Sequence, residues 1–342
     1  MEMVTLLTPE GSTSIPGSMT GTTAVVDADA FQEATGWAHG PGGWRRGDTG
    51  VAGDGGMTDA GVDLIAFAGH AGLPLAMEPS EQVAYLGSSA AQRAAELACG
   101  LFPDVSLPDL DGKPHALSSL VGSKVAVVCW GSWCGCRYDL KVWEQLYREL
   151  QGHNFALVSV AFDAYTDAAR PWLEIADVTH LALVDAGHAL AERLNVLNVP
   201  SVVWIDEEGR IVRPNDNQFV TDLYTANHSQ DSERGAAALR RWVTTGETGL
   251  TAEQVAAYRL PPTAEEQAAR AEFALAWWLH ERRAQEAADH HFEEAAELAP
   301  EDLVIRRSTL ALQGIDPEGE KYFQMRLELE DADIPIYRPL PA

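Results

Sequence analysis

Cysteine is scarce in this chain of 342 residues, which contains Cys99, Cys129, Cys134 and Cys136 and no others. Small proteins held together by disulfides need a denser and more evenly spread set of cysteines. A disulfide framework is therefore excluded, and the length suggests two or three domains that each bury a core. Three of the cysteines fall within eight positions, so this short stretch is the first candidate for chemistry.

Positive charge is also scarce, because 24 lysines and arginines stand against 51 aspartates and glutamates, a formal net charge of −27. An electrostatic field of this sign repels both the phosphate backbone of nucleic acids and anionic lipid headgroups. We therefore expect no nucleic-acid partner and no membrane partner.

Long hydrophobic runs are absent from the sequence. The first ten residues lack both the basic segment and the apolar core of a secretion signal, and no stretch has the length of a membrane span. The sequence therefore predicts a soluble, cytoplasmic protein.

The stretch from Val125 to Arg137 carries the most informative pattern. Residues 124–130 form a short, continuous, valine-rich apolar run, which is typical of a strand buried on both faces. From Leu140 to Leu150 the apolar positions recur at helical spacing. Cys134 is therefore predicted at a strand-to-helix junction, where free backbone N–H groups and the helix dipole favour a thiolate.

A single residue, Gly135, separates Cys134 from Cys136. Positions two apart do not share a face of an ideal helix. A disulfide between the two cysteines therefore requires Cys134 to lie outside the helix, with Gly135 supplying unusual backbone angles. Strain in so small a ring would make the disulfide a ready oxidant. The alternative is that Cys136 is not a partner of Cys134.

Four segments follow one another in a characteristic order: residues 102–114, 118–120, 130–134 and 198–211. Together they resemble a redoxin domain, most closely that of the TlpA/ResA-like thiol–disulfide oxidoreductases. The resemblance covers roughly residues 101–245. It implies a thioredoxin fold, an attacking Cys134 preceded by Trp133, and a cis-Pro200 beside the cysteines. The family places two residues between its cysteines, whereas this chain has one.

The resemblance also implies roles for residues around the cysteines. A cis X–Pro bond would turn the backbone of Val199 toward them, so that an extended substrate segment can pair with it. The alternative is a Pro200 that merely begins a strand. Trp133 is expected to be exposed beside Cys134, whereas Trp130 is expected in the core.

Two charged residues and one further cysteine are candidates near this site. Arg137 would add a positive charge near the thiolate, or would be an exposed arginine of the first helical turn. Asp163 follows a second buried strand, so it either shuttles protons for the cysteines or caps the next helix. Cys129 alternates with Val128 along its strand and is predicted to point away from the site as an inert thiol.

The fold class predicted for the chain is α/β. Its expected parts are a flexible tail (1–20), a small α+β module of unknown family (21–100), a thioredoxin-like redoxin domain with a mixed sheet flanked by helices (101–250), and a helical module (251–342). Within the α+β module we expect a helix capped by Asp27 or Asp29, a long glycine-rich loop over 39–57, and strands at 62–68, 73–77 and 82–86. A polar loop is expected over 214–234.

The C-terminal region is alanine-rich and helical by pattern. Residues 287–300 resemble the second helix of a tetratricopeptide repeat. One such unit must bury its apolar face on the rest of the protein or on a second copy, so a homodimer is possible. The pair His290-His291 is predicted on a helix surface.

The leading hypothesis is a thiol–disulfide oxidoreductase in which Cys134 attacks a substrate disulfide and Cys136 resolves the mixed disulfide. Its partner would be a protein or a low-molecular-weight thiol or disulfide, with no cofactor and no metal. A thiol peroxidase is an alternative, although Gly131 stands where peroxiredoxins carry a hydroxyl residue. A second alternative is a thioredoxin-fold binding protein for a protein partner or for a soft metal such as Cu(I), held by Cys129, Cys134 and Cys136.

Overall fold

The structure is a computed structural model that describes residues 2–223 and 231–341. The chain divides into two compact units, and each unit combines two separate segments: Met1–Arg93 with Pro262–Ala299, and Ala94–Pro261 with Pro300–Ala342. The predicted boundary at residue 250 is therefore wrong, because the C-terminal helices bury their apolar faces in two different units. Of the predicted polar loop, residues 224–230 lie outside the described residues.

The strands carry the following labels: β1 (Met3–Thr8), β2 (Gly11–Met19), β3 (Ala24–Val26), β4 (Ala38–Gly40), β5 (Gly43–Arg46), β6 (Thr49–Val51), β7 (Met57–Thr58), β8 (Gly61–Asp63), β9 (Leu75–Glu78), β10 (Val83–Leu86), β11 (Ser106–Pro108), β12 (Pro114–Ala116), β13 (Lys124–Trp130), β14 (Phe155–Ala161), β15 (Leu181–Val184), β16 (Ser201–Ile205) and β17 (Ile211–Asp216).

The helices carry the following labels: α1 (Ala28–Thr35), α2 (Leu64–Ala71), α3 (Ala90–Cys99), α4 (Leu140–Leu150), α5 (Thr166–Ile175), α6 (Ala189–Leu194), α7 (Ser232–Thr245), α8 (Ala252–Tyr258), α9 (Ala264–Glu281), α10 (Gln285–Leu298), α11 (Leu303–Ser308) and α12 (Glu320–Asp331). None of the described helices is long and apolar enough to cross a lipid bilayer.

The first unit contains a sheet with the strand order β7-β8-β3-β2-β1-β10-β9. The prediction of a flexible tail over residues 1–20 is wrong, because β1 and β2 form the middle of this sheet. Val4 pairs with Ile15 in an antiparallel register, and both side chains are buried. The Ser, Thr and Gly residues at the start of β2 are all exposed, and only Ile15 and Met19 of this strand are buried, so the strand shows no clear alternation of apolar and polar residues.

Two further expectations for this unit are wrong, although the helix capped by Asp27 is confirmed. The glycine-rich segment 39–57 is not a loop, because β4, β5 and β6 form a small antiparallel sheet that buries Trp44. Residues 62–68 are mostly helical, since Asp63 accepts hydrogen bonds from the N–H groups of Ile65 and Ala66 and so caps α2. Glycines at tight turns allow β4–β6 to form without a clear hydrophobic period.

The second unit contains a sheet with the strand order β15-β14-β13-β16-β17. Strands β13, β14 and β15 are parallel, whereas β16 runs antiparallel to β13 and to β17. Helices α4 and α7 cover one face of this sheet, and α5 and α6 cover the other. This mixed sheet between two helical layers is a thioredoxin-like fold, so the predicted α/β class is confirmed.

The C-terminal helices are shared between the units. Helices α9 and α10 pack against each other and against β9 of the first unit. His291 is buried there beside Glu272, so its predicted place on a helix surface is wrong. Helices α11 and α12 belong to the second unit, where they approach the cysteine pair.

Candidate active site

Cys134 lies between the end of β13 and a 3-10 turn, Gly135–Asp139, that leads into α4. It is the residue that caps this turn, with an extended backbone (φ −117°, ψ 141°). Its predicted position outside the helix is therefore confirmed. Gly135 is not among the described glycines with positive φ in this structure, in which both cysteines are free thiols, so the angles expected of it in a disulfide stay a prediction. The extended backbone of Cys134 itself separates the two cysteines from helical geometry.

The sulfur of Cys134 has three close neighbours. Its Sγ accepts a hydrogen bond from the backbone N–H of Cys136 at 3.3 Å and another from the thiol of Cys136. It also lies 3.6 Å from the carbonyl oxygen of Val199. The Val199–Pro200 peptide bond is cis, as predicted. The cysteine pair and the proline loop therefore meet at one edge of the sheet.

The pKa values of the two thiols shift in opposite directions. Burial acts to raise the pKa of Cys134, but the hydrogen bonds from Cys136 and the positive charge of Arg307 hold it below its ordinary value. Burial and the neighbouring Cys134 raise the pKa of Cys136 well above its ordinary value. Cys134 is therefore the more acidic thiol of the pair, and the hydrogen bonds from Cys136 favour its ionised form.

Arg307 is a residue that the sequence analysis missed. Its side chain comes from α11 and is only 3 % exposed. The guanidinium donates hydrogen bonds to the carbonyl oxygens of Trp133 (2.6 Å) and Pro317 (3.1 Å) and stacks on the ring of Tyr322 at 3.7 Å. An arginine inside the apolar run of α11 was the available signal, but nothing in the sequence indicated which element it would face.

Trp133 is buried rather than exposed, so that expectation is wrong. Its side chain is 4 % exposed, and the indole Nε1–H donates to the carbonyl oxygen of Phe162 at 2.9 Å. Trp130 is also buried, as predicted. The guanidinium of Arg307 lies 5.0 Å from the ring of Trp133, which therefore packs beneath the C-terminal segment instead of facing solvent.

Arg137 is committed to other partners. Its guanidinium donates to the carbonyl oxygen of Ser132 at 2.8 Å, pairs with Glu318 at 2.8 Å, and lies 4.6 Å from the ring of Trp172. Burial opposes its charge, yet the hydrogen bond and the charge of Glu318 raise its pKa above the ordinary value. The role of Arg137 in positioning a substrate stays a prediction.

Asp163 is a buried residue that follows the end of β14. Its carboxylate accepts hydrogen bonds from both the N–H and the hydroxyl of Ser132, the latter at 2.6 Å. It does not cap α5, because the N-cap residue of that helix is Tyr165 and no side chain forms a capping hydrogen bond there. Burial raises the pKa of Asp163 to about 6. This value suits proton exchange near neutrality, although the shuttle role stays a prediction.

Asp139 is a second acid that the sequence analysis missed. It is buried at the end of the 3-10 turn and accepts hydrogen bonds from the hydroxyl of Thr221 and the N–H of Val220. Burial raises its pKa to about 7. Its carboxylate lies near enough to both cysteines to disfavour their ionised forms. The signal was an acidic residue in the first turn after the second cysteine.

The last part of the chain covers the cysteine pair, and we call residues 303–341 the C-terminal cap. Its Tyr337 packs edge-on against Phe219 with ring centres 5.3 Å apart. Cys134 and Cys136 are 3 % and 2 % exposed beneath it. They line a cavity of about 140 Å³ together with aromatic and charged side chains: Phe219, Arg307, Glu318, Tyr322, Phe323, Arg326 and Tyr337.

Cys129 lies on the same face of the sheet as the cysteine pair, so the prediction that it points away is wrong. It is fully buried, and burial and the charge of Asp185 raise its pKa far above the ordinary value. Across the described residues, no group of three or more His, Cys, Asp or Glu side chains is arranged to hold a metal ion. A three-cysteine site for a soft metal is therefore not formed in this part of the chain.

A thioredoxin-like fold with two cysteines at the start of a helix, opposite a cis proline, defines the redoxin class. Residues 100–213 match the AhpC/TSA family. The thiol-disulfide oxidoreductase ResA of Bacillus thuringiensis subsp. konkukian is 22% identical over 112 residues, 32% of this chain and 65% of its own. ResA of Bacillus subtilis is 24% identical over 112 residues, 32% of this chain and 63% of its own.

The chain thus spans about 65% of the length of the curated relatives that it matches. Among solved structures, a thiol-disulfide oxidoreductase from Bacteroides fragilis is 19% identical, covering 38% of this chain and 97% of its own, with a TM-score of 0.32. Residues 100–213 are therefore similar to the AhpC/TSA family, and the ResA proteins are distant relatives of this region. These comparisons do not support the tetratricopeptide resemblance of the C-terminal helices.

Proposed function

We propose that the protein is a thiol–disulfide oxidoreductase in which Cys134 attacks and Cys136 resolves. The observation that carries the proposal is the asymmetry of the pair: the Cys134 sulfur accepts hydrogen bonds from Cys136, and the two pKa values move apart. The attacking thiol must be ionised, whereas the resolving thiol stays protonated until the mixed disulfide has formed. The ResA relatives carry the same activity in their names.

The chemistry proceeds in two exchanges. The Cys134 thiolate attacks one sulfur of a disulfide R–S–S–R, a bond forms between Cys134 and that sulfur, and one R–S⁻ leaves. Once Cys134 is bonded, its negative charge no longer raises the pKa of Cys136. Cys136 then loses its proton, attacks the Cys134 sulfur and releases the second R–S⁻. The protein ends with a Cys134–Cys136 disulfide, which a dithiol returns to the reduced state.

Asp139 is the proposed acceptor of the Cys136 proton. Its pKa of about 7 lies near neutrality, where a carboxylate can both take and release a proton. Asp163, with a pKa of about 6, is hydrogen-bonded to Ser132 and therefore serves to hold the loop that precedes Cys134. The two acids thus take different parts in the proposal.

Intact-mass analysis tests the exchange. Reduced protein is treated with bis(2-hydroxyethyl) disulfide in a Cys99→Ser background, because Cys99 is an exposed thiol that would react on its own. The parent should lose two hydrogen atoms and keep no adduct. Cys136→Ser should retain one mercaptoethanol adduct on Cys134, and Cys134→Ser should remain unmodified. An adduct that forms equally on Cys134→Ser would refute the assignment of the nucleophile.

A thiol peroxidase is the second candidate. Gly131 offers no hydroxyl to a peroxide, but Tyr337 lies close enough to interact with both cysteines and brings a hydroxyl to the site. The Cys134 thiolate would take one peroxide oxygen to give a sulfenic acid and hydroxide, and Cys136 would condense with it and release water. Stopped-flow consumption of hydrogen peroxide that is much faster than reaction with any disulfide would favour this candidate.

The cytoplasmic location and a homodimer remain proposals from the sequence. Cell fractionation tests the first, and sedimentation of the purified protein tests the second.

A further inference from the structure

The backbone beside the cis proline is not free to receive an extended protein segment. Strand addition at this position requires an unpaired N–H and C=O on Val199. The N–H of Val199 donates to Oδ1 of Asn198 at 2.8 Å, and its carbonyl oxygen lies 3.6 Å from the Cys134 sulfur. A substrate strand would therefore have to break local contacts before it could pair.

The C-terminal cap also packs against the loop that contains Val199 and Pro200. Asn198 Nδ2 donates to the carbonyl oxygen of Ile336 at 2.8 Å, and Asn217 Oδ1 accepts from the N–H of Arg338 at 2.6 Å. Further along, Asp216 accepts from the N–H of Leu340 at 2.8 Å. These hydrogen bonds hold residues 336–340 across the proline loop, where a protein substrate would lie.

The opening that remains is the cavity of about 140 Å³ above the cysteines. Its two cations, Arg307 and Arg326, face one acid, Glu318, which is already paired with Arg137 at 2.8 Å. Arg326 forms a long ion pair, 3.8 Å to Glu330, and its guanidinium lies 5.9 Å from the ring of Tyr322. Among the side chains that line the cavity, cations therefore outnumber carboxylates by two to one.

We propose that Cys134 acts on a small disulfide that carries a carboxylate, and that Arg326 binds this carboxylate. The inference rests on the proposed function and narrows its substrate class from disulfides in general to small anionic ones. Arg307 is held by two backbone carbonyls, so Arg326 is the cation with donors to spare. The aromatic rings of Tyr322, Phe323 and Tyr337 enclose the apolar part of the substrate.

The reaction is the one given above, with two electrons passing from the cysteine pair to the substrate. One small disulfide becomes two small thiols as Cys134 and Cys136 become a disulfide. A dithiol reductant then returns the cysteine pair to the reduced state. In the assay this reductant is dithiothreitol, which is supplied after each single turnover.

Matched disulfides of similar size and different charge test the proposal. Dithiodiglycolate is a dianion, bis(2-hydroxyethyl) disulfide is neutral, cystamine is a dication, and insulin represents a protein disulfide. Single-turnover oxidation of the reduced Cys99→Ser protein is followed by intact mass. We expect dithiodiglycolate to react about tenfold faster than cystamine, after correction for their intrinsic reactivity toward a free thiol. The reason is that only dithiodiglycolate can accept a charged hydrogen bond from Arg326, and one such bond corresponds to about a tenfold difference.

Variants of Arg326 assign the effect to one side chain. Arg326→Gln should lower the ratio of the dithiodiglycolate rate to the neutral-disulfide rate about tenfold, whereas Arg326→Lys should keep most of it. Lys321→Gln is the matched control, since it removes one positive charge from the same helix at an exposed position outside the cavity. This control should leave the ratio unchanged.

The outcomes separate the two proposals. If the neutral disulfide oxidises the pair but charge and Arg326 make no difference, or if insulin reacts as fast as dithiodiglycolate, the inference is wrong and the oxidoreductase remains. If no disulfide oxidises Cys134 and Cys136, the proposed function itself is wrong.

Discussion

Arg307 donates a hydrogen bond of 2.6 Å to the carbonyl oxygen of Trp133, the residue directly before Cys134. A buried cation from the C-terminal cap is thereby fixed beside the reactive sulfur, 174 positions away in sequence from the residue that it contacts. The Cys134 sulfur and the charge that favours its ionisation come from the two separate segments of the same unit. The redoxin domain and its C-terminal cap therefore form one site.

Arg307→Gln should raise the pKa of Cys134, because it removes the positive charge that favours the thiolate. Alkylation of Cys134 by iodoacetamide near neutral pH should slow several-fold, and its pH profile should move to higher pH. Arg307→Lys should retain much of the parent rate. Arg306→Gln is the control, since Arg306 pairs with Glu328 rather than with the site. An unchanged alkylation profile in Arg307→Gln would remove the assigned role.

Asp139→Asn should slow the resolving step more than the attack. The carboxylate form of Asp139 accumulates as pH rises through about 7, so the parent rate of disulfide closure should rise over that interval. The variant should lose this rise and close the disulfide roughly a hundredfold more slowly, at the low end of general-base effects. Quenched-flow mass analysis separates the adduct from the closed disulfide. A pH profile identical to the parent would contradict the role.

The same carboxyl group predicts how stability depends on pH. Its pKa in the folded protein, about 7, lies above its ordinary value, so the folded state binds the proton more tightly than the unfolded state. The stability that this proton provides is complete in acid and is lost as pH rises toward about 7. The free energy of unfolding of the parent relative to Asp139→Asn should therefore fall from pH 4 to pH 7, by about 2 kcal/mol or more. Urea titrations across this range measure it.

Asp163→Asn distinguishes a proton shuttle from a positioning residue. The amide keeps one oxygen that can accept from Ser132, so the loop before Cys134 should persist. Because Asp163 is proposed to hold this loop, the variant should keep most of the parent rate, with the shape of its pH profile unchanged. A loss of the inflection near pH 6 would instead assign it the shuttle role.

Tyr337→Ala should open the cavity above the cysteines. The ring of Tyr337 packs on Phe219 and helps to cover Cys134, so its removal should admit larger reagents. The rate with a bulky maleimide, relative to iodoacetamide, should increase about tenfold or more. Leu327→Ala, at an exposed position on α12 outside the cavity, is the control. An equal increase in both variants would indicate general loosening of the cap.

Local patterns predicted the centre of the redoxin domain well. The valine-rich run became β13, the helical spacing from Leu140 became α4, and Pro200 is cis. These features depend on neighbouring residues, so a short window of sequence contains the information. The prediction for the first 20 residues was wrong because their structure depends on pairing with a strand that is distant in sequence. β1 pairs with β2 on one side and with β10 on the other.

Short stretches of sequence were enough to predict the cysteine pair as the candidate site, its place at the start of a helix, and the strands that support it, since each depends on contacts close along the chain. Which residues surround the sulfur followed from the folded structure alone. Arg307 and Tyr337 reach the cysteines through packing between distant segments. Asp139 is close in sequence, but burial in the folded unit sets its charge state. Pairings of this kind depend on how the whole unit packs, which hydrophobic period and residue spacing do not encode.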